Sequence, residues 1–262
     1  METLFIGKNT IFLPETDSTN SYAMGLLKNV NLPEGTVVHA AVQHAGKGQR
    51  GTSWKADPQR NLTVSVLLKP VFLGIKNSFL LYQVAALSCF DTLAQFLDNG
   101  QFDIKIKWPN DILVNGKKIA GILIENTVSG DEIRNSIIGF GINLNQESFG
   151  EIGNATSYRM LTGEDLPPRK ALGALCSSLE KNYLLLRENK HDQLRDRYLS
   201  VLYGLDCTLP FAMGDVVRHL RVRGVHRNGL LNLEDEQGGL LQVDVKEVRW
   251  LSLAAGSEGN VF

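Results

Sequence analysis

Residues 104–125 read IKIKWPNDILVNGKKIAGILIE. It contains two short apolar segments, Ile104 to Trp108 and Ile112 to Val114, on either side of a Pro-Asn-Asp turn. The next turn, Asn115-Gly116, is a pair that strongly favours a two-residue β-hairpin, and the apolar run Lys118 to Glu125 follows it. The stretch therefore predicts three short strands joined by tight turns.

The segments on both sides of this stretch extend the sheet. Strands are predicted at Thr36 to Val42, Leu62 to Leu68 and Ile137 to Leu144, because these segments are rich in β-branched and other apolar residues. Apolar residues at helical spacing occur at 16–30 and 77–97. The first half is therefore predicted to be rich in strands, with few helices.

The second half has a different pattern. Residues 169–203 read as two helices that split near Lys190. From Cys207 onward, short apolar segments alternate with glycine turns, which predicts a small β-barrel of roughly 50 residues. We therefore expect an α+β protein with two domains, residues 1–205 and 206–262.

Composition excludes several classes of protein. The chain has 262 residues, of which 43% are hydrophobic and 21% charged, so a sizeable core can form and a fibrous or disordered chain is excluded. A net charge of -1 argues against a broadly basic surface for nucleic acid. No apolar run reaches the roughly 18 residues of a membrane helix. The amino terminus lacks a signal sequence, and the three cysteines are widely spaced. We expect a cytoplasmic protein that binds no membrane.

Residues 46–51 form the glycine-rich pattern G-x-G-x-x-G after a predicted strand. The pattern does not fit a dinucleotide-binding fold, because no helix opens at the loop and no acidic residue follows at the required distance. It also lacks the lysine of a Walker phosphate loop. Three glycines still let a ligand approach the backbone, and Lys47 and Arg50 could receive a phosphate or carboxylate. The alternative is a flexible hairpin loop with solvated charges.

Three further motifs allow both a structural and a functional interpretation. Lys107 to Asp111 is either a plain strand connection or a set of groups that hold a nucleotide phosphate and its magnesium. Lys118 is either an exposed residue at a strand start or a cation that reaches inward to an acidic or carbonyl ligand. Ser18, Thr19 and Asn20 exceed what one helix cap uses, which leaves groups for a polar ring or a ureido-like ligand.

Taken together, five motifs in their order along the chain resemble those of the biotin protein ligases, also called biotin–[acetyl-CoA-carboxylase] ligases. They are TDSTN at 16–20, QHAGKGQRGTSW at 43–54, KWPND at 107–111, KIAGILIE at 118–125 and GFGINLN at 139–145. Five ordered motifs, spread over roughly residues 4–205, are far more specific than any one of them. The tail resembles the small SH3-like barrel of that family.

The resemblance implies a mixed β-sheet catalytic domain of the class II synthetase and biotin ligase type, with helices on one face and the barrel at the carboxyl end. It also implies a two-step reaction. Biotin and MgATP form biotinyl-5′-AMP and pyrophosphate, and a specific lysine on the biotin carrier domain of a carboxylase then attacks the adenylate. Homodimers occur in the family, and a homodimer is left open for this chain.

The resemblance also assigns residues by position. Biotin and the acyl-adenylate are expected at Ser18, Thr19, Asn20, Gln43, Gly46, Lys47, Gly48, Gln49 and Lys118, with Gly121 in the pocket wall. ATP is expected at Arg50, Trp54, Lys107, Asn110, Asp111 and Asn143. The expected catalytic cations are Lys118, Lys47 and Arg50, and the expected ligand of Mg²⁺ is Asp111.

Two features depart from the family pattern. The family often has arginine where this chain has Lys47 and Gln49, so Lys47 keeps the charge without the bidentate fork and Gln49 carries no charge. The first motif begins at Thr16, so we expect no amino-terminal DNA-binding domain and no repressor role. We also expect the glycine loop to order over the ligand and to protect the reactive adenylate from water.

Two rival functions stay open. A lipoate–protein ligase would share the general fold and the adenylate chemistry, although the KWPND motif and the glycine loop favour biotin. A non-catalytic ligand-binding or scaffold protein, with the barrel as a peptide-binding module, is a rival from another class. The concentration of lysine, arginine and carboxamide side chains at strand ends in the first 145 residues favours a reaction site.

Overall fold

A computed structural model describes residues 2–97, 100–150 and 153–251 of the chain. The strands in this part are β1 (Thr10–Thr16), β2 (Val37–Gln43), β3 (Leu62–Leu68), β4 (Ile104–Lys107), β5 (Asp111–Val114), β6 (Lys117–Ser129), β7 (Glu132–Ile142), β8 (Thr208–Met213), β9 (Val216–Val225), β10 (Leu231–Glu234), β11 (Leu240–Val243) and β12 (Arg249–Trp250). The helices are α1 (Thr19–Leu26), α2 (Phe79–Ala94), α3 (Tyr158–Thr162), α4 (Pro168–Arg187) and α5 (His191–Ser200). Short 3₁₀ turns occupy Gln49–Gly51 and Ile75–Asn77.

Strands β1 to β7 form one mixed sheet in the order β1-β2-β3-β7-β6-β5-β4. The pair β1 and β2 is parallel, and the other neighbours are antiparallel. The predicted hairpin at Asn115-Gly116 is confirmed, and both residues have the positive φ angles that this turn needs. The mixed sheet expected for the fold class is therefore confirmed.

Strand β1 is an element that the sequence pattern did not predict. It contains Pro14, which cannot donate to a ladder, and it lies at the sheet edge, where proline is tolerated. The register pairs Leu13 with Ala40 and Glu15 with Val42, and it passes over Pro14. Because β1 pairs with a strand beyond α1, no turn signal next to it indicates the pairing.

Alternation along β3 and β7 separates two apolar layers. Val66 and Ile138 face the layer that contains α2, α4 and α5. Leu67 and Ile137 face the opposite layer, where they pack with Ala23 of α1. The long helices therefore lie on one face, as expected. The short helix α1 is an exception on the other face, because its buried Ala23 covers a second apolar layer.

The predicted split of residues 169–203 into two helices is confirmed. Helix α4 begins at Pro168, and proline suits a first helical turn because its missing N–H has no intrahelical partner there. Arg197 of α5 donates to Asn182 of α4 at 2.7 Å and to Asp91 of α2 at 2.8 and 3.0 Å, so the three helices pack as one layer. In the described residues, no helix has the length and apolarity that a membrane crossing needs.

Strands β8 to β12 form a second, antiparallel sheet in the order β11-β10-β9-β8-β12. This sheet lies where the small carboxyl-terminal barrel was predicted, and it begins at Thr208. One apolar cluster nevertheless continues from the large sheet into this part of the chain. The expected domain boundary between residues 205 and 206 stays a prediction.

The two sheets meet at the end of β4. The indole Nε1 of Trp108 donates to the carbonyl oxygen of Gly229 at 2.8 Å. The Lys107 Nζ lies 5.9 Å from the centre of the Trp250 ring. Phe211 and Trp250 share their apolar cluster with Ile106. The carboxyl-terminal part of the chain therefore covers Lys107 and Trp108, the first two residues of the predicted KWPND motif.

Candidate functional site

One row of residues crosses the large sheet from its β4 edge toward its centre. Lys107 pairs with Asp111, Asp111 pairs with Gly121, and Gly121 pairs with Gly141. Alternate residues of a strand project to opposite faces, and paired residues project to the same face. The row therefore lies on one face, the face opposite the long helices. The register brings together four positions that lie in three separate motifs of the sequence.

Lys118, Asp111 and Lys107 form a charged cluster at the start of this row. The Lys118 Nζ lies 2.7 Å from Asp111 Oδ1, so Lys118 reaches inward. The pKa of Lys107 is lowered to about 8, mainly by burial; the Asp111 carboxylate acts against this shift and the Lys118 charge adds to it. Two ammonium groups thus share one carboxylate, which leaves the cluster positive.

The sequence Gly-Phe-Gly of β7 leaves bare backbone on the site face. The phenylalanine between the glycines is buried in the helix layer, whereas Gly139 and Gly141 face α1 and the glycine loop. A Cβ at Gly139 would overlap the carboxamide of Asn20, and a Cβ at Gly141 would overlap the indole of Trp54. A Cβ at Gly121 would lie 3.1 Å from the Trp54 ring. Glycine is therefore required where these side chains approach the sheet.

A hydrogen-bond network holds the first turn of α1 against the sheet. Thr19 donates to the Gln43 carboxamide oxygen through its backbone N–H at 2.8 Å and through its hydroxyl at 3.1 Å. The Ser65 hydroxyl lies 2.8 Å from Thr19 Oγ1 and 2.6 Å from Asn20 Oδ1. Asn20 Nδ2 donates to Glu125 at 2.9 Å. Paired in this way, the buried polar groups form a fixed polar wall beside the glycines.

The glycine loop forms a compact hairpin next to this wall. The N–H of Gly48 donates to the Thr52 carbonyl at 2.7 Å, and the N–H of Trp54 donates to the Gly46 carbonyl at 2.8 Å. A Cβ at Gly46 or Gly48 would overlap the opposite arm of the hairpin. The ring of Trp54 lies 5.7 Å from Lys118 Nζ. The root of the hairpin therefore contacts the charged cluster.

The tip of the hairpin carries the other predicted cations. Lys47 is exposed, and its backbone bridges Ser53. Gln49 hydrogen-bonds Tyr82 of α2, and this bond lowers the pKa of Tyr82 against the larger effect of burial, which raises it. Arg50 belongs to the same turn, and its side chain lies outside the described part of the chain. Lys47 thus faces solvent and Gln49 meets α2, and the roles of all three residues toward a ligand stay predictions.

Two predicted residues support the local backbone. Ser18 caps α1, where its hydroxyl accepts the N–H of Ser21 at 3.4 Å. Asn110 donates from Nδ2 to the Ile122 carbonyl at 2.8 Å within the turn between β4 and β5. Ser18 therefore serves as a helix cap and Asn110 stabilises a strand connection, which are the structural interpretations of their motifs. Their contacts with biotin and ATP stay predictions.

Asn143 and Lys118 both form hydrogen bonds with the segment 154–156. The backbone of Lys118 pairs with the Asn154 carbonyl and the Thr156 N–H, and Asn143 Nδ2 donates to the Thr156 carbonyl at 3.0 Å. The Asn143 Oδ1 is buried and has no hydrogen-bond partner among the described residues. Buried acceptors without a donor are rare in a plain core, so this atom is consistent with a place near a binding site.

Ser65 and Glu125 belong to the polar wall although the motifs did not assign them. Ser65 is a lone hydroxyl in the apolar strand LTVSVLL, and Glu125 ends the apolar run KIAGILIE. A polar residue inside a buried strand was the available signal. The sequence could not show that both reach Asn20, because their meeting depends on the order and register of the strands.

Asp111 was the expected ligand of Mg²⁺, and its surroundings do not fit a resident metal ion. Its carboxylate pairs with Lys118 and faces Lys107 on the neighbouring strand. The charges of Lys118 and Lys107 both act at this carboxylate and oppose a further cation. The described ranges contain no group of three or more His, Cys, Asp or Glu side chains that could hold a metal. A role of Asp111 toward the Mg²⁺ of the substrate MgATP stays a prediction.

The whole arrangement forms the groove of the candidate site, a strip of glycine backbone that Asn20, Trp54 and Lys118 approach closely. The polar wall of α1 borders Gly139, the charged cluster borders Gly121, and Trp54 lies over Gly141 between them. Hydroxyl and carboxamide groups suit a neutral polar ring, whereas the two lysines attract phosphate and carboxylate. The groove can therefore bring two anionic groups together beside a polar ring.

Comparison with known proteins relates this groove to one family. Residues 12–143 match the Biotin/lipoate A/B protein ligase family. The bifunctional ligase/repressor BirA of Bacillus spizizenii is 31% identical over 242 residues, which cover 91% of this chain and 73% of that protein. The biotin--[acetyl-CoA-carboxylase] ligase of Mycobacterium tuberculosis is 30% identical over 185 residues, which cover 70% of this chain and 67% of that protein.

A solved structure has the same fold. The biotin protein ligase from Aquifex aeolicus in complex with biotin and ATP has a TM-score of 0.75 and 27% sequence identity to this chain. The match covers 92% of this chain and 97% of that chain. A match of this extent includes the large sheet, the helix layer and the carboxyl-terminal sheet together.

Proposed function

Because this chain belongs to the biotin/lipoate A/B protein ligase family, we propose that it is a biotin protein ligase of the biotin–[acetyl-CoA-carboxylase] ligase type. Its substrates are biotin, MgATP and the biotin carrier domain of a carboxylase. The names of its relatives and the biotin and ATP bound in the Aquifex aeolicus structure support the assignment. The charged cluster beside a glycine floor supports it from this chain's own residues.

In the first step, a carboxylate oxygen of biotin attacks the α-phosphorus of ATP. A new P–O bond forms, the bond from the α-phosphorus to the bridging oxygen breaks, and pyrophosphate leaves with the electron pair. Both reactants are anions and repel each other. Lys118 and Lys107 reduce this repulsion, because two fixed ammonium groups on one side of the groove stabilise the charge of both. Asp111 positions Lys118.

In the second step, the amine of the carrier lysine attacks the acyl carbon of biotinyl-5′-AMP. A C–N bond forms, the C–O bond to the phosphate breaks, AMP leaves, and the amine releases its proton. The same positive cluster stabilises the phosphate of departing AMP. One set of lysines thus serves both steps.

The observation that carries this proposal is the row from Lys107 and Asp111 across Gly121 to Gly141, with Lys118 beside it. It places cations next to the Trp54 indole, which covers the glycine strip and offers a flat face to an adenylate. The ureido ring of biotin offers N–H donors and a carbonyl acceptor, and the hydroxyl and carboxamide groups of the polar wall are suited to both.

The glycine hairpin has the position of a cover in this proposal. Its root contacts the cluster through Trp54, and its tip carries Lys47 out to solvent. We expect residues 46–52 to close over the bound adenylate and to exclude water. Limited proteolysis tests this expectation: cleavage in 46–52 should slow when biotin and MgATP are both present, and equal cleavage rates would contradict closure.

One incubation tests the proposed reaction. The chain, biotin, MgATP and an apo carrier domain should give biotin-dependent pyrophosphate release and a carrier that gains the mass of one biotinyl group. Without biotin-dependent pyrophosphate release the proposal of a biotin ligase fails. A parallel incubation replaces biotin with lipoate. Labelling with lipoate and not with biotin would select the lipoate–protein ligase.

Three finer points belong to the same proposal. We infer that this chain acts without a repressor function, and the net charge of -1 supports weak affinity for DNA. A specific gel shift at physiological salt would contradict this. A cytoplasmic location is supported by Cys89, Cys176 and Cys207, which are free thiols. Sedimentation of the full chain decides between a monomer and a homodimer.

A further inference from the structure

A cavity of about 400 Å³ lies where α2, α5 and the turn after β9 meet. Its wall includes Gln83 of α2, His191 and Arg195 of α5, and His226 and Arg227 of the turn. The volume is that of a site for a small molecule. None of these residues belongs to the row, the polar wall or the glycine hairpin. The cavity is therefore distinct from the groove.

The charges on the cavity wall are mainly positive. Arg195 and Arg227 carry guanidinium groups, and neither has an ion-pair partner among the described residues. Asp192 contributes a carboxylate, and two imidazoles add possible donors. A guanidinium matches the geometry of a carboxylate or phosphate with two parallel hydrogen bonds. The wall is thus suited to an anion.

Gln83 gives an independent indication of a ligand. Its side chain lines the cavity and the residue is 4% exposed. Its Oε1 accepts no hydrogen bond from the described residues. A buried carboxamide oxygen without a donor is unfavourable, because it has lost its bonds to water and gained none. This oxygen has almost no accessible surface, so a ligand N–H or O–H group reaches it only when the Gln83 carboxamide turns toward the cavity.

We propose that this cavity binds a small organic anion that carries a phosphate or carboxylate group and also a hydroxyl or amino donor. The anionic group pairs with Arg195 and Arg227, and the donor faces Gln83. Arg195 belongs to the helix layer and Arg227 to the carboxyl-terminal sheet. The bound anion therefore links the two parts of the fold at a place outside the reaction groove.

Isothermal titration calorimetry on the full chain tests the proposal with two probes, glycerol 3-phosphate and citrate, which both combine an anion with a hydroxyl. At least one probe should bind, and the probe that binds identifies the anionic group. The double variant Arg195→Gln, Arg227→Gln should weaken that binding at least tenfold. Arg218→Gln is the matched control, because Arg218 is an exposed arginine at the other end of β9. It should bind as the unchanged chain does.

Two further variants keep the proposal open to contradiction if the double variant folds poorly. Gln83→Leu should weaken binding and raise Tm without ligand, because it removes the unpaired carboxamide. Lys118→Met should bind the probe unchanged. The proposal is overturned if neither probe binds, if Arg218→Gln weakens binding as much as the double variant, or if Lys118→Met abolishes it, since the anion would then lie in the groove.

Discussion

The charged row and the glycine hairpin border the same groove, but they are held in different ways. Lys107 and Asp111 project from strands paired in one sheet, and the ion pair of Lys118 with Asp111 adds a 2.7 Å contact. The hairpin is closed mainly by its own backbone bonds, and its tip meets α2 through Gln49. A strand residue cannot shift without breaking its ladder, whereas a hairpin can turn about its root.

This difference separates two tasks of the proposed reaction. Groups that stabilise charge in a transition state act best when they are fixed in advance, so the row suits the activation of biotin. A cover must open for substrates and close over the adenylate, so a hairpin suits that task. We expect changes in the row to alter the rate of adenylation and changes under the hairpin to alter how substrates are held.

The largest effect is expected for Lys118→Met. Loss of one fixed cation from the row should lower the adenylation rate by about 10² to 10³, as loss of a single oxyanion donor does in other enzymes. Single-turnover pyrophosphate release measures it. Lys117→Met is the matched control, because Lys117 is the exposed neighbour in β6, and it should keep the full rate. Equal rates in the two variants would remove Lys118 from the mechanism.

Gly141→Ala should have the next largest effect, because it acts where the row meets the hairpin. The new methyl group would overlap the Trp54 indole, so the hairpin root must move off the sheet. We expect kcat/KM to fall by about tenfold to a hundredfold through misplacement of the bound reactants, together with a change in tryptophan fluorescence. Gly153→Ala, which meets no atom within 4 Å, should change neither signal.

A pH profile tests whether the buried cation of the row must be charged. The pKa of Lys107 is lowered to about 8, mainly by burial, so kcat/KM for adenylation should fall as pH rises through about 8, by roughly tenfold per unit well above it. Lys107→Arg keeps its charge in this range and should not show that fall.

The titration of Lys107 should also affect stability: the free energy of unfolding should rise over the pH range in which the reaction slows. Between about 8 and the ordinary lysine pKa of about 10.4, the unfolded chain binds more protons at Lys107 than the folded chain. The free energy of unfolding should therefore rise with pH in this window relative to Lys107→Arg. A parallel pH dependence of both proteins would mean that Lys107 is not desolvated.

The smallest effect is expected for Gly25→Ala in α1, the helix that carries the polar wall. A Cβ at Gly25 meets no atom within 4 Å, and alanine is favoured over glycine in a helix by about 0.5 to 1 kcal/mol. Chemical denaturation should show that gain, and biotin-dependent activity should not change. A large change in activity would mean that α1 moves during the reaction and belongs with the hairpin rather than with the row.

Much of the fold could be predicted because its strands carry strong local signals. Leu62 to Leu68 has the predicted bounds, and the Asn115-Gly116 turn is present. The hairpin of β6 and β7 extends further than predicted, to Ser129 and from Glu132. The outer part of this hairpin is polar and partly exposed. It pairs through its backbone, but it lacks the apolar pattern from which a strand is predicted.

The sequence motifs named candidate residues for the site, but they could not show which of these residues contact one another. The motifs assigned Lys118 to biotin and Lys107 and Asp111 to ATP, and the structure places Lys118 against Asp111. They did not show that Ser65 reaches Asn20, because two residues meet across a sheet according to strand order and register. The sequence also could not predict where the side chains of the glycine hairpin point, because their direction depends on the surface that the hairpin contacts.

A shortened version of this enzyme, designed to biotinylate a protein to which it is fused, must keep the contacts at the end of β4. A chain cut after residue 205 would lack the Gly229 carbonyl that accepts from Trp108 and the Trp250 ring beside Lys107. It would also expose apolar surface that Phe211 now helps to bury. The smallest unit worth transplanting into a fusion protein therefore extends at least to Trp250.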